Sequence, residues 1–292
     1  GLMGNLDNAS YLTATSIATS VFSLIFWSFG FLRMGTTGMV AQAHGSKQYD
    51  EIVNLVFRNI AFVILISLLL ILCQKYIFKI SLSIFELSDD TTKYFKEYFD
   101  LRIYSSFGEL TIYIITGLFI GLQRTTLSSV AVGFFSITNI LFSLLFVVYF
   151  DLDVQGVALG TVISSTLTAV IFLSYTFFEL QKLTSININF SKIFNVKKIQ
   201  KLFNINFDIF IRSALLTFSF LFFTYLGNTI GEDVVAANTI LLNLIMLSAF
   251  ILDAYAFSTE GIVGYSIGSK NKKLLTNVIK NSFILSATTG LL

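Results

Sequence analysis

The sequence predicts an all-α polytopic membrane protein built from two pseudo-symmetric six-helix lobes. Three observations predict it. Of 292 residues, 55% are hydrophobic and 12% are charged, a balance too apolar for a soluble domain. Residues 8–32, 125–150, 154–178, 213–231 and 234–252 carry no charge, and each reaches the ~18 residues that a membrane-spanning helix needs. The chain also contains itself twice, 223 residues apart. Gly4-Asn5, Ala14, Ile17, Leu24, Thr36, Gly38, Val40, Gly45-Ser46-Lys47 and Asn54 recur as Gly227-Asn228, Ala237, Ile240, Leu247, Thr259, Gly261, Val263, Gly268-Ser269-Lys270 and Asn277. A repeat this long in a hydrophobic chain is a mark of two-lobed transport folds.

Two further windows, residues 59–74 and 103–123, qualify as spans once Glu109 and the flanking charges snorkel to the interface. The spans in order are A (10–43), B (51–79), C (91–122), D (125–150), E (155–180), F (206–230), G (233–267) and the start of H (273 onward). G follows A by six spans, an even number, so both cross in the same direction and the repeat is parallel. Span F precedes G, so a matching span is expected before A, and the second copy breaks off inside H. The expectation is a fragment of a twelve-helix protein, lacking the first helix and the last four or so. Its expected parts are a first lobe (1–180), a basic interlobe linker (181–205) and the start of a second lobe (206–292).

Lysine and arginine set the orientation. The loops after A, C, E and G hold Lys47, Arg58, Arg124, Lys182, Lys192, Lys197, Lys198, Lys201, Lys270, Lys272 and Lys273, and are expected to be cytoplasmic. The loops after D and F hold only Asp151, Asp153, Glu232 and Asp233. The loop after B is mixed, with Lys79, Lys93 and Lys96 against Glu86, Asp89, Asp90 and Glu97, and is expected outside. In the linker, Ile193, Phe194, Val196, Ile199, Leu202 and Phe203 alternate with Lys192, Lys197, Lys198 and Lys201. That pattern suits a short amphipathic helix on the inner membrane surface, or a solvated basic loop.

The chain has no proline, so kinks must come from glycine or from polar side chains bonding to backbone. Gly35-Thr36-Thr37-Gly38 in A and Ser258-Thr259-Glu260-Gly261 in G are small-residue segments that allow close helix contact, as a moving gate or as static packing. One cysteine and one histidine leave no disulfide and no Cys/His metal cluster. No signal peptide is expected, because residues 1–20 lack a basic segment followed by a short apolar core. An enzyme is not expected either: there is no His-Glu-x-x-His pattern and no nucleophile–base pair. The expected partners are small amphipathic or cationic substrates and the lipid bilayer, with no nucleic acid, and the expected state is a monomer.

Several segments together resemble the multidrug and toxic compound extrusion family, in particular its DNA-damage-inducible protein F branch. They are Gly30-Phe31-Leu32-Arg33-Met34-Gly35-Thr36-Thr37-Gly38 with Ala41-Gln42-Ala43; Gly156-Val157-Ala158-Leu159-Gly160-Thr161; Asn206-Phe207-Asp208-Ile209-Phe210-Ile211-Arg212; and Ala236-Ala237-Asn238-Thr239-Ile240-Leu241-Leu242-Asn243. The resemblance implies a bacterial inner-membrane antiporter that exports amphipathic, often cationic compounds against H+ or Na+. It implies no cofactor beyond that coupling ion. It also implies a cation site in the first lobe, where the family's Asn matches Asn139 and its Thr matches Thr161. The family's fifth-helix Asp falls on Ser143, which supplies an oxygen without charge, and its first-helix Asp would lie upstream of Gly1. H+ is therefore favoured over Na+. Without the resemblance, Asn139 and Ser143 read equally as interhelical hydrogen-bonding groups, worth about 0.6 kcal/mol each.

Charges inside spans cost roughly 2.5–3.5 kcal/mol, so each asks for a reason. Asp253 and Glu260 lie on one stripe of G, and Arg33 in A has Ala256, midway between them, as its repeat counterpart. In the family A and G face each other, so Arg33 is expected to latch onto Asp253 or Glu260 when the inner side closes. Alternatively one acid is a second protonation or drug-cation site, or all three groups reach water near the interface. Asp208 and Arg212 are expected to form a structural i, i+4 pair. Glu109 stands isolated, with Tyr104 or Tyr113 as possible partners, and His44 is expected to be solvated. A lipid-linked oligosaccharide flippase shares this architecture but needs cavity cations to hold a pyrophosphate. The remaining alternative is a fragment that transports nothing.

Overall fold

The computed structural model describes residues 9–85, 87–184, 190–230 and 232–291. Gly4 and Asn5 of the repeat, Glu86 of the mixed loop and residues 185–189 of the linker lie outside the described residues. Those described form helices and the short turns between them, without strands. The first span is two helices, α1 (Ala9–Ser28) and α2 (Phe31–Gly45). Between them Phe29 N donates to the Phe26 carbonyl and Gly30 N to the Trp27 carbonyl, a tightened i→i+3 turn. Gly30 permits it, because a Cβ there would press on the Trp27 carbonyl. Span B is α3 (Tyr49–Leu72) continued by α4 (Gln74–Ile84).

Span C opens with α5 (Asp89–Arg102). The Ser88 hydroxyl accepts from Thr91 N, and Asp89 and Asp90 sit at the positive end of the helix dipole. A 3-10 turn, Ile103–Ser105, separates it from α6 (Ser106–Gly121). Next come α7 (Thr125–Leu144), ending in a π-helical turn at Leu145–Tyr149, and α8 (Asp153–Leu183). The linker contributes the single turn α9 (Phe190–Ile193). Beyond it lie α10 (Val196–Ile230), α11 (Glu232–Gly268) and α12 (Lys272–Leu291).

Among the described residues six stretches are long and apolar enough to cross a membrane: Ser10–Gly45, Tyr49–Leu72, Asp89–Gly121, Thr125–Tyr149, Asp153–Lys182 and Ile240–Gly268. They match spans A to E and G. The expected span H is an unbroken helix but falls outside that set. For α12 the reason is visible, since Lys272, Lys273, Asn277, Lys280 and Asn281 crowd its first half.

The core of the first lobe forms where α5, α6 and α7 pack on α8 and α1 packs on α5. One cluster gathers Phe22, Phe95, Phe99, Ile103 and Leu110; a second gathers Val40, Ile52, Phe119 and Leu180. Helix α2 lies between α6 and α11 and joins the lobes.

The repeat is visible in the bonding. After α2, Lys47 N donates to the His44 carbonyl and Gln48 N to the Ala43 carbonyl; after α11, Lys270 N donates to Ile267 and Asn271 N to Ser266. Both are Schellman turns, and both put a lysine in the left-handed region, at φ 58° for Lys47 and 55° for Lys270. Thr36 Oγ1 donates to the Leu32 carbonyl (2.6 Å) and accepts from Asn59 Nδ2 (3.0 Å). The counterpart, Thr259, donates to the Tyr255 carbonyl (2.7 Å) and shares a 2.6 Å hydrogen bond with Ser282. Ser282 lies 223 residues after Asn59.

Two expectations change here. Arg58 is not in a loop. It is buried on α3, where its Nε donates to the Ile193 carbonyl (2.9 Å) and its guanidinium lies 3.6 Å from Glu51. Glu51 also binds Lys198 (3.0 Å). The linker thus docks on the first lobe instead of lying free as a short surface helix. Ile193 and Leu202 are buried, and α10 runs without a break through residues 196–230, so the 205/206 boundary falls inside one helix.

Candidate functional site

A cavity of about 890 Å³ lies where α2, α6, α7 and α11 meet. Arg33 enters from α2, Glu109 and Tyr113 from α6, Ser128 from α7, and Phe257 and Ser258 from α11. The helices supply these groups because A and G cross side by side, with α6 against both.

Toward one end of the cavity α2 and α11 close on each other through small residues. A Cβ on Gly45 would collide with the Tyr265 carbonyl, and one on Gly268 would collide with the Gln42 carbonyl. Gly45 and Gly268 are repeat counterparts, and so are Gln42 and Tyr265. The contact is therefore reciprocal, as across a twofold axis. At the axis itself a Cβ on Gly264 would meet the Cβ of Ala41, its own counterpart. Gly261 packs its backbone on the Ile120 carbonyl, and Gly35 packs against the buried side chain of Asn206.

Arg33 does not form the expected ion pair in this structure. Its guanidinium lies 3.6 Å from the centroid of the Phe257 ring, across the two repeats, and among the described residues no salt bridge joins it to Asp253 or Glu260. Both acids remain close enough to act on it electrostatically. Glu260 is half-buried and Asp253 exposed. A cation stacked on an aromatic face in a desolvated site is held by about 2 kcal/mol, which competes well with a pair at longer range.

Asn139 and Thr161 are brought together. Asn139 Nδ2 donates to Thr161 Oγ1 (2.8 Å) and to Ser164 Oγ (3.4 Å), and Thr161 Oγ1 donates to the Val157 carbonyl (3.0 Å). Ser143 is buried at the same α7–α8 contact, where Gly160 makes room for its hydroxyl, and among the described residues that hydroxyl has no hydrogen-bond partner.

Asp208 and Arg212 form no salt bridge among the described residues. Both are exposed on α10, and Arg212 instead acts on Glu260 across the α10–α11 contact. Glu109 is not isolated: it pairs with Arg102 and accepts from Ser105 Oγ (2.9 Å). Tyr104, offered as its partner, is half exposed, whereas Tyr113 lines the same cavity. His44 is not solvated but packs against Tyr49 and Tyr265, ring centroids 6.2 and 5.3 Å away, with Nδ1 buried and without a hydrogen-bond partner among the described residues.

Sequence reasoning missed Arg102, Asn59, Asn206 and the anchoring role of Arg58. Polar residues on otherwise apolar faces were the available signal.

Residues 1–145 and 209–292 match the family model described as MatE. The chain belongs to the MatE family. This MatE chain is 28% identical over 291 residues to DNA damage-inducible protein F of Escherichia coli (strain K12), covering 100% of itself and 63% of that relative. It is 23% identical over 230 residues to multidrug export protein MepA of Staphylococcus aureus (strain bovine RF122 / ET3-1), covering 77% of itself and 51% of the relative. Two solved structures share the fold. One is described as the outward-facing conformation of a multidrug resistance MATE family transporter of the MOP superfamily (TM-score 0.85, 17% identity, 99% of this chain and 64% of that one). The other is a MOP superfamily transporter from Pyrococcus furiosus with a binding pocket described as of reverse polarity (TM-score 0.83, 17% identity, 97% and 63%). The relatives are transporters, not enzymes. The chain spans 63% and 51% of the lengths of these two curated relatives, and the family match gives no support to the fragment expectation.

Proposed function

We propose that this protein is a secondary active exporter of amphipathic, often cationic compounds. Inward flow of H+, or else Na+, drives it by rocker-switch alternating access, and it acts as a monomer in the bacterial inner membrane with the loops after A, C, E and G on the cytoplasmic side. One observation carries the reading. An apolar cavity with a few convergent polar groups opens between the two repeat-related helices that seal it at one end. A seal of backbone against backbone has two states, packed or parted, which is what alternating access needs. Ser143, with its unpartnered hydroxyl beside Asn139 and Thr161, is proposed as part of the cation-coupling group. Arg33, Glu260 and Asp253 are proposed as the charges that shift when the seal opens.

Reconstitution in proteoliposomes and measurement of ethidium efflux under an imposed pH or Na+ gradient tests the proposal. Efflux that follows one gradient and collapses with it supports antiport and names the ion. Absence of efflux under both gradients overturns it.

A further inference from the structure

Where α3 ends, the first lobe exposes apolar and cationic side chains in an ordered pattern. Helix α3 has 24 residues, about 36 Å at 1.5 Å per residue, enough to cross a hydrocarbon core of about 30 Å. Leu65, Leu68, Leu69 and Leu72 form an exposed aliphatic stripe along its last two turns. The apolar run then stops, and Gln74 and Lys75 open α4. Phe78 anchors α4 to α5, its ring centroid 5.4 Å from that of Phe95 and 5.6 Å from that of Phe99. The opposite face of α4 carries two ridges at helical spacing. One is Tyr76, Ile80 and Ile84, all exposed, and beside it runs Lys75 with Lys79. Leu72 stands one turn before Lys75 and Tyr76, so the leucine stripe runs up to both ridges.

Between α4 and α5 lies a groove of about 360 Å³, lined by Gln74, Lys75, Phe78, Lys96, Asp100 and Tyr104. Lys96 lies 3.7 Å from Asp100, an exposed pair that contributes little by itself. Among the described residues the side chains of Gln74, Lys75 and Tyr104 make no hydrogen bond or ion pair. The groove therefore sets two ammonium groups against one carboxylate, with an amide and a phenol as further donors. Lysine is depleted from loops on the outer side of a membrane, yet the end expected outside carries Lys75, Lys79, Lys93 and Lys96. Tyr76 and Tyr104, both exposed, belong at the headgroup level, where tyrosine gathers. A cationic groove at that level, with a bare leucine stripe leading into it, has both halves of a lipid site: charge for a headgroup and hydrocarbon for its chains.

We propose that the groove between α4 and α5 binds an anionic phospholipid of the outer leaflet, with a hydroxylated headgroup of the phosphatidylglycerol kind. The phosphate lies between the ammonium groups of Lys75 and Lys96, which donate charge-assisted hydrogen bonds to it. The Tyr104 hydroxyl and the Gln74 amide donate to the same oxygens, and the headgroup hydroxyls donate to Asp100. The acyl chains run along Leu72, Leu69, Leu68 and Leu65. The excess of positive charge in the groove selects an anionic lipid over a zwitterionic one. A free phosphate ion offers nothing for the leucine stripe to hold, so the occupant is the lipid. Bound there, it ties the ends of spans B and C together. Only the choice of leaflet rests on the membrane orientation proposed above; the site itself stands on either side.

The test uses the full chain in detergent, with dioleoylphosphatidylglycerol and dioleoylphosphatidylcholine as probes, and reads retained lipid by native mass spectrometry. The unsubstituted protein is expected to hold phosphatidylglycerol about tenfold more tightly, with the preference shrinking as salt is raised. Its thermal unfolding should shift upward with phosphatidylglycerol alone. Lys75→Gln with Lys96→Gln is expected to erase the preference. Lys79→Gln with Lys93→Gln removes the same charge from the same end of the lobe but outside the groove, and should leave the preference intact. Tyr104→Phe is expected to weaken phosphatidylglycerol about threefold. Glycerol 1-phosphate, a headgroup without chains, should displace no lipid at millimolar concentration. Equal retention of the two lipids by the unsubstituted protein overturns the proposal and leaves an ordinary lipid annulus. An equal effect of the two lysine pairs overturns it in favour of diffuse surface charge, and displacement by glycerol 1-phosphate in favour of a free-phosphate site.

Discussion

Helices α2 and α11 are two copies of one sequence, and they agree at one end and differ in the middle. At the closed end the copies share Gly-Ser-Lys, the same Schellman turn, the same left-handed lysine and the same threonine-to-backbone bond. Away from that end they diverge. The first copy has Gly30, Arg33 and Thr37; the counterparts are Asp253, Ala256 and Glu260. The first copy is interrupted at Gly30, and the second is continuous from Glu232 to Gly268. The lesson is that the seal constrains both copies alike, while the cavity uses them differently: one lines it with a cation, Arg33, the other with Phe257 and Ser258.

The strongest way to break this comparison is to strike both sides of the seal. Gly268→Leu places a side chain against the Gln42 backbone, and Gly45→Leu does the same to Tyr265. Each is expected to abolish ethidium efflux. In a Cys73→Ser background, each should also raise labelling of a cysteine placed at Ser258 by an impermeant thiol reagent. Clearly unequal effects of the two would show that the contact is not reciprocal.

Second in size is Arg58→Ala, which strips the Ile193 carbonyl and Glu51 of a buried partner and is expected to cost about 3 kcal/mol. Faster hydrogen exchange over residues 190–205 would register it. The counterpart Asn281 holds no linker, so Asn281→Ala should leave that exchange unchanged.

Arg33→Gln removes the cation from Phe257, and is expected to lower efflux by a factor of about 30, equivalent to about 2 kcal/mol. Recovery in a double variant with Glu260→Gln supports the latch between them, and a double variant as slow as the single one counts against it. The smallest effect belongs to the threonines. Thr36→Val and Thr259→Val should each cost about 0.6 kcal/mol, with Thr36 the larger, because it is 2% exposed and leaves Asn59 unpaired. Thermal unfolding of the two variants side by side reads the difference.

Much of the fold was legible because it is written in local patterns. Charge-free runs mark span D and the starts of spans A and E to within two residues, and the repeat places Gly45 and Gly268 on equivalent turns. Asn139 and Thr161 were found through a resemblance, and the structure joins them by a hydrogen bond. What stayed hidden depends on partners far away in sequence. Arg58 looks like a loop cation until Ile193 arrives from 135 residues away to meet it. The choice Arg33 makes between an aromatic face and an acid turns on a few ångströms between lobes. Glu109 looked isolated although Arg102 is only seven residues off, because a helix read as continuous gives no sign of the 3-10 turn beside them.

The contact at the axis, Ala41 against Gly264, has one more consequence. A surface that meets its own copy needs no second surface designed to fit it, so a single-lobe protein carrying this helix would find its partner in another molecule of itself. Fusing two such halves turns an interface between neighbours into a fold within one chain. It also frees each copy to change alone, and the methyl group present at Ala41 and missing at Gly264 is one such change, small enough that the pair still closes.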